Sequence, residues 1–389
     1  MNFIFFENKI ETLGFFSARL ADAMSARGFE VYIHGFYNDP SSMLTHIREN
    51  ETVLITFNCI GVSGETEYMR NGVSLWRLYG VTVVNILVDH PMYYHEQLEL
   101  LASYSSSPEF THIVCIDRNH MRYIKSYYPE AVNVHFMVLA GSGAEYAVNF
   151  EKKKYDIIFT GNFTPCSYFD RFIECNGPEY AKFYRGIIDD MLSDPSRPVE
   201  QVCLEHIKHE EPEASAEQLR FTISKFLFID LYVRFLLREK AVAALDKAGF
   251  NIKLIGHGFE SMRTKSGRIL SGGTLLPTAH CLRETALARI SLNVMPGFTD
   301  GGHDRILSAM MCGTLSLTDT SVWLKENFID GQELCFYDIR NPEDLTKAAS
   351  RLLSDYVLLH SITENGHKKA LESHTWDSRA DEILSWLIS

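Results

Sequence analysis

The chain has 389 residues, and because a single core stops growing beyond about 250 to 300 residues, two domains are expected. Hydrophobic residues at 46% and charged residues at 22% match soluble globular proteins and exclude a disordered or fibrous chain. Lys and Arg number 37 against 50 Asp and Glu; the net charge of −13 argues against DNA or RNA as an extended partner but leaves room for a local basic pocket around a small phosphorylated ligand.

Asn2 to Phe6 reads as a buried strand, since the apolar start lacks a basic leader and meets Glu7, Lys9 and Glu11 at once, unlike a signal peptide. Phe16, Leu20 and Met24 follow at helical spacing, and Gly28 closes that helix. Strands are predicted next at Glu30 to His34, Thr52 to Phe57, Thr82 to Val88, His112 to Ile116 and Asn133 to Val138, with segments able to form crossover helices between them. Gly141, Gly143 and the run Glu151 to Lys154 suggest an interdomain linker. A second series opens with a strand at Asp156 to Thr160, followed by a long helical region over 168 to 249. Within it Phe226 to Leu237 is apolar, but Asp230 and Arg234 are spaced to pair on one helix face, and a membrane span needs about 20 apolar residues. Strands return at Asn251 to Ile255, Ile290 to Val294, Leu315 to Thr318 and Leu334 to Tyr337. Helices are predicted at Asp304 to Met311 and Glu343 to Leu353, and the tail from Asp355 to Trp386 is helical.

This alternation implies mostly parallel sheets covered on both faces, an α/β fold of two Rossmann-like domains over 1–150 and 151–375, with a helix over 376–389 that can pack back on the first. The eight cysteines are scattered without a CxxC pair, which argues for reduced thiols in a cytoplasmic protein with no transmembrane segment. Asn162-Phe163-Thr164 is formally a glycosylation acceptor, and without a secretion signal it reads as a chance match.

Open parallel sheets bind ligands beyond the carboxyl ends of their strands, which selects Asn8 to Gly14, Asp89 to Pro91, Thr160 to Asn162 and the loop Pro296 to Arg305. In the last, a strand runs through a glycine-rich loop into a helix, so backbone N–H groups and the positive helix end converge where a phosphate would be stabilised. Gly301 and Gly302 permit close approach, and Arg305 adds a forked positive charge. Asp304 either caps the helix and orients Arg305 or meets sugar hydroxyls; an ordinary glycine-rich turn with an Asp cap explains the same spacing.

The runs Leu292 to Pro296, Gly302-His303-Asp304-Arg305-Ile306, Ala309 to Gly313, Leu317 to Asp319, Asp330 to Glu333 and His374 to Trp376 resemble the donor domain of GT-B glycosyltransferases, most of all the branch related to spore-maturation enzymes. Leu87 to Pro91 and Cys115 to His120 are similar to the same branch. The resemblance implies transfer of a sugar from a nucleotide-diphosphate donor, UDP-type, to an acceptor hydroxyl, in a cleft between two Rossmann-like domains. It implies an acceptor that is protein, glycan or lipid, no cofactor and no metal. By position it implies donor contacts at Gly161, Asn162, Asp300, Gly301, Gly302, His303, Asp304, Arg305 and Ser308.

Many retaining members carry Glu-x7-Glu across this loop, and here the corresponding positions are Asp300 and Ser308. A serine contacts ribose more weakly than a carboxylate, so the stereochemistry stays open. Inversion needs a base, and Asp89 and His90 are the catalytic candidates; the alternative is a turn in which His90 is a satisfied structural residue. A nucleotide-sugar epimerase or hydrolase, or a nucleotide-sugar-binding protein without turnover, fits the same scaffold. Cys203, Glu205, His206, His209 and Glu210 have the spacing to gather zinc but read better as a solvated helix face. His257 between two glycines fits either a place near the nucleobase or a tight turn, and Lys265 and Arg268 offer charge near the donor or simply face solvent. Trp323, Trp376 and Trp386 read as packing anchors, and Trp76 as a possible acceptor wall.

Overall fold

Burial on both faces of a parallel sheet demands near-continuous apolar runs, and the strands follow from that rule. A computed structural model describes residues 1–35, 38–105, 107–262, 269–271 and 276–388. The chain divides into one unit of Met1–Leu139, Ser215–Ser224 and Trp376–Ser389 and another of Ala140–Ala214 and Lys225–Thr375.

The first unit carries β1 (Asn2–Phe6), β2 (Glu30–His34), β3 (Thr52–Phe57), β4 (Thr82–Leu87), β5 (Thr111–Cys115) and β6 (Asn133–Phe136). They form one sheet in the order β2-β1-β3-β4-β5-β6, every pair parallel. Phe3, Ile4 and Phe5 of β1 are fully buried, as a central strand requires. The helix Glu11–Ala26 packs against the C-terminal helix Trp376–Ile388 through Phe16 and Trp376, whose ring centroids lie 5.4 Å apart. Arg27 fastens the same pair, its Nη1 2.6 Å from Asp377 and its Nε 2.7 Å from Asp381. The helix Ala216–Ser224 also belongs to this unit: Arg220 donates to Tyr127 O at 2.7 Å and lies over the Tyr128 ring.

Trp386 of the terminal helix stacks on His135 at 4.2 Å, and His135 Nε2 is 3.0 Å from His112 Nδ1. Burial, then the charges of His112 and Lys125, lower the His135 pKa from 6.5 to about 4. The unfolded chain therefore binds a proton that the native state refuses, and stability present above about pH 6.5 is lost as pH falls toward 4. With half of the ring near solvent, the loss is about 1–2 kcal/mol. Urea midpoints at pH 7 and 4.5 should fall further in wild type than in His135→Gln, and an equal fall in both would remove this residue as the cause.

The second unit carries β7 (Tyr155–Thr160), β8 (Ile252–Ile255), β9 (Ile269–Ser271), β10 (Ala288–Asn293), β11 (Leu315–Thr318) and β12 (Cys335–Phe336). Their order is β9-β8-β7-β10-β11-β12, again all parallel. The chain thus winds outward from β7 in one direction, then returns to β7's other side with β10. The long helical region resolves into several helices, chiefly Pro178–Ser193, Val199–Glu210 and Leu227–Ala248. The last ends at Gly249 in the left-handed region (φ 91°), and on it Arg234 donates to Asp230 at 2.8 Å, the pairing its spacing predicted.

Glu151 to Lys154, read from sequence as linker, lies inside the second unit. Lys153 is buried, and its ammonium donates to Ala286 O (2.9 Å), Ala288 O (2.8 Å) and Thr314 Oγ1 (3.2 Å). Desolvation lowers its pKa to about 8, yet the three acceptors keep it useful as a clasp between strand and loop. Lys153→Met should cost about 1–3 kcal/mol in urea unfolding, because Ala286 O loses the ammonium and Ala288 O keeps only Thr314 Oγ1 at 3.1 Å; a loss under about 0.5 kcal/mol would show that water replaces it. Among the described residues no helix is long and apolar enough to cross a membrane.

Candidate functional site

The reversal of strand order at β7 leaves a crevice at the carboxyl ends of β7 and β10, where open α/β sheets hold ligands. Two guanidinium groups converge on it. Arg305, in the first turn of the helix Asp304–Met311, donates from Nη1 to Thr160 O at 2.6 Å, at the last residue of β7. Arg238, from the helix Leu227–Ala248, donates from Nη1 to Asn162 O at 2.8 Å. A Cβ added to Gly161 would lie 2.7 Å from Arg305 Nη1 and 3.8 Å from Arg238 Nη1, so only a bare backbone passes between them. Asn162 Oδ1 accepts from the His257 amide at 3.2 Å, and His257 O accepts from Phe163 N at 2.9 Å, so the β8 loop is laced to the β7 loop. The glycines flanking His257 serve that turn: a Cβ on Gly256 would sit 1.8 Å from Gly161 O.

The helix start is built differently from the sequence reading. His303, not Asp304, occupies the N-cap position. Its Nδ1 lies 2.7 Å from Asp304 Oδ1 and 3.3 Å from both the amide and Nε of Arg305. Burial, then the Arg305 charge, hold the His303 pKa below its usual value, so the ring is neutral at pH 7. In this cap Nδ1 accepts from the Arg305 amide and from Arg305 Nε, which ties the guanidinium to the helix start. Asp304 thus lies against His303 at the helix start.

The remaining loop residues support more than they expose. Asp300 is buried, and Gly301 O accepts from Ser321 Oγ at 2.6 Å, tying the loop to the next strand connection. Gly302 is buried beside it. Ser308 is also buried, and its Oγ accepts from Ser142 N at 3.1 Å. In the first unit, Asp89 follows β4 and is half-buried, with Tyr94 donating to its Oδ2 at 3.1 Å. His90 is buried, and its Nδ1 accepts from Met92 N at 3.0 Å, capping a short turn at Pro91–Tyr94.

Other sequence candidates disperse. His206 pairs with Asp190 at 2.7 Å, His209 with Glu210 at 3.3 Å, and Cys203 is buried, so no zinc set forms there. Among the described residues no group of three or more His, Cys, Asp or Glu side chains is placed to hold a metal ion. Trp76 is fully buried with its indole N–H on Gly61 O at 2.7 Å, so it is a core residue and not an exposed wall. Lys265 and Arg268 lie outside the described residues.

Sequence reading missed two residues. Arg238 sits just past the apolar run Phe226 to Leu237, and an Arg there, only 7% exposed, is the signal that marks it. Asp319, immediately after β11, is 3% exposed and accepts from Met295 N with both oxygens at 3.0 and 3.2 Å, anchoring the root of the Pro296 to Arg305 loop. Burial pushes its carboxyl up to about 7, partly offset by that amide and by Arg305.

Residues 237–385 match the family described as glycosyl transferase-like. No curated protein is significantly similar in sequence. Among solved structures the chain is similar to sucrose-phosphate synthase from Thermosynechococcus elongatus at 11% identity and a TM-score of 0.55, covering 100% of this chain and 98% of that one. It is similar to Anabaena HepE, solved with UDP and glucose, at 10% identity and a TM-score of 0.53, covering 100% and 99%. It is also similar to the DNA-modifying enzyme β-glucosyltransferase, solved with and without its substrate UDP-glucose, at 11% identity and a TM-score of 0.52, covering 99% and 98%. Residues 237–385 are therefore glycosyl transferase-like, and the chain has the GT-B fold of two Rossmann-like domains.

Proposed function

We propose that this protein moves a sugar from a UDP-type nucleotide sugar to an acceptor hydroxyl on a protein, glycan or lipid, and that it does so in the cytoplasm without a metal. The observation that carries the reading is the convergence of Arg238 and Arg305 on Gly161 at the sheet's switch point. As the bond from the sugar's C1 to the diphosphate breaks, negative charge grows on the departing oxygen. Fixed guanidinium forks and the helix start at Asp304 stabilise that charge without reorganising. The acceptor oxygen forms the new bond to C1 and gives its proton to a base, a role assigned to Asp89. His90 serves by shaping the turn that presents Asp89. HepE with UDP and glucose, and β-glucosyltransferase with UDP-glucose, favour uridine as the donor base. The cytoplasmic assignment is supported by eight free cysteines.

Thermal shift against UDP, GDP, dTDP and CMP tests the donor. Saturating UDP at about 100 times Kd should stabilise by about 2.7 kcal/mol, and no shift with any nucleotide would sink the reading. EDTA should leave turnover unchanged; loss of turnover restored by a divalent ion would make transfer metal-dependent. Product analysis separates transfer from hydrolysis, since free sugar without a glycosylated acceptor identifies a hydrolase.

A further inference from the structure

A cavity of about 730 Å³ opens at the carboxyl ends of β10, β11 and β12; Asp319 and Pro296, at the root of the glycine-rich loop, line it, whereas none of Gly161, Asn162, Arg238 or Gly301 to Arg305 does. Its floor is built. Asp319 and Tyr337 are each 3% exposed, with Asp319 held by Met295 N and the Tyr337 hydroxyl donating to Asn293 O at 2.9 Å. Pro195, Pro296 and Phe336 supply apolar surface, while Arg340, Lys347 and Arg351 bring long cationic side chains. Arg340 is forked onto Asp338, Nε to Oδ1 at 3.0 Å and Nη2 to Oδ2 at 2.9 Å, which fixes its guanidinium plane.

The lining chooses among ligand classes. Five aspartates stand against four Lys or Arg, so a phosphate meets as much repulsion as attraction. The described carboxylates do not converge as a metal set. A fully apolar ligand would strip these charged groups of water without replacing their hydrogen bonds. A polyhydroxylated ligand both donates to carboxylates and accepts from guanidinium and ammonium groups, while its C–H faces lie on proline and phenylalanine. The volume falls within the range of about 300–1,000 Å³ typical of ligand sites.

We propose that this cavity is a carbohydrate-binding site for a short neutral oligosaccharide, separate from the donor site. Ala348, on the helix Pro342–Ser354, lines it and is partly exposed, so Ala348→Trp fills the cavity without entering the core. Calorimetry on the full chain with maltotriose, cellotriose, chitotriose and inorganic phosphate is the test. At least one trisaccharide should bind wild type, about tenfold more weakly in Ala348→Trp and about fivefold more weakly in Arg340→Ala/Lys347→Ala, with melting temperatures unchanged. UDP affinity should be the same in all three proteins. Absence of trisaccharide binding, equal binding in the variants, or phosphate binding tighter than any saccharide would overturn the proposal. Loss of UDP binding together with saccharide binding would also overturn it, by merging the cavity with the donor site; UDP binding that persists while saccharides fail would leave the transferase reading standing alone.

Discussion

Arg305→Ala should lower kcat/KM for a UDP-sugar by about 10²–10³-fold, the usual effect of deleting one preorganised group that stabilises transition-state charge. The side chain is held by its own fold: Nη1 is bonded to Thr160 O at 2.6 Å, and Nε lies 3.3 Å from His303 Nδ1. That pre-orientation is why the loss should fall on turnover as well as on binding. The stability change should be small, about 1 kcal/mol, because one carbonyl at the crevice edge can be taken over by water. Arg305→Lys restores the charge but not the fork, so it should recover only part of the rate. Arg238→Ala should act in the same direction with a larger stability loss, since Arg238 is more deeply buried. Steady-state kinetics beside melting curves decides: wild-type turnover in Arg305→Ala would detach this loop from the reaction.

The α/β character was legible because parallel strands write themselves as apolar runs. β1, β2, β3 and β11 were read with their full bounds, and the helix Asp304–Met311 likewise. The rule that ligands sit beyond strand ends, joined to the glycines, the arginine and the family resemblance, singles out the loop at Gly301 to Arg305. What periodicity does not record is which element a side chain meets. Arg238 is one more cationic residue on a long helix until β7 places Asn162 O against it. Asp319 looks like any turn residue after a strand until burial and the Met295 amide give it a role. Helical pattern over 168 to 249 likewise says nothing of Ala216–Ser224 joining the first unit through Arg220. The His303 cap was hidden for a related reason: Asp is the commoner capping residue, and only the backbone shows that the helix begins after His303.

Gly256→Ala and Gly161→Ala should separate backbone packing from side-chain placement at the same crevice. At Gly256 the backbone sits at φ 135°, and an added Cβ would meet Gly161 O at 1.8 Å and Gly161 C at 2.6 Å. Neither obstacle is a flexible tip, so the β7 and β8 loops must part and the Asn162 to His257 bond must break. Gly256→Ala should therefore cost about 2–4 kcal/mol in urea unfolding and weaken UDP by at least about tenfold. At Gly161 the nearest obstacle is Arg305 Nη1 at 2.7 Å, the far end of a long side chain that can swing away. Gly161→Ala should cost about 1–3 kcal/mol, from a backbone held at φ 157°, and should also lower turnover, because the methyl group displaces the guanidinium from Thr160 O. If Gly256→Ala bound UDP normally and unfolded at the wild-type urea concentration, the two loops would not be packed as described. If Gly161→Ala kept full turnover, Arg305 would not need its place against β7 to act on the donor.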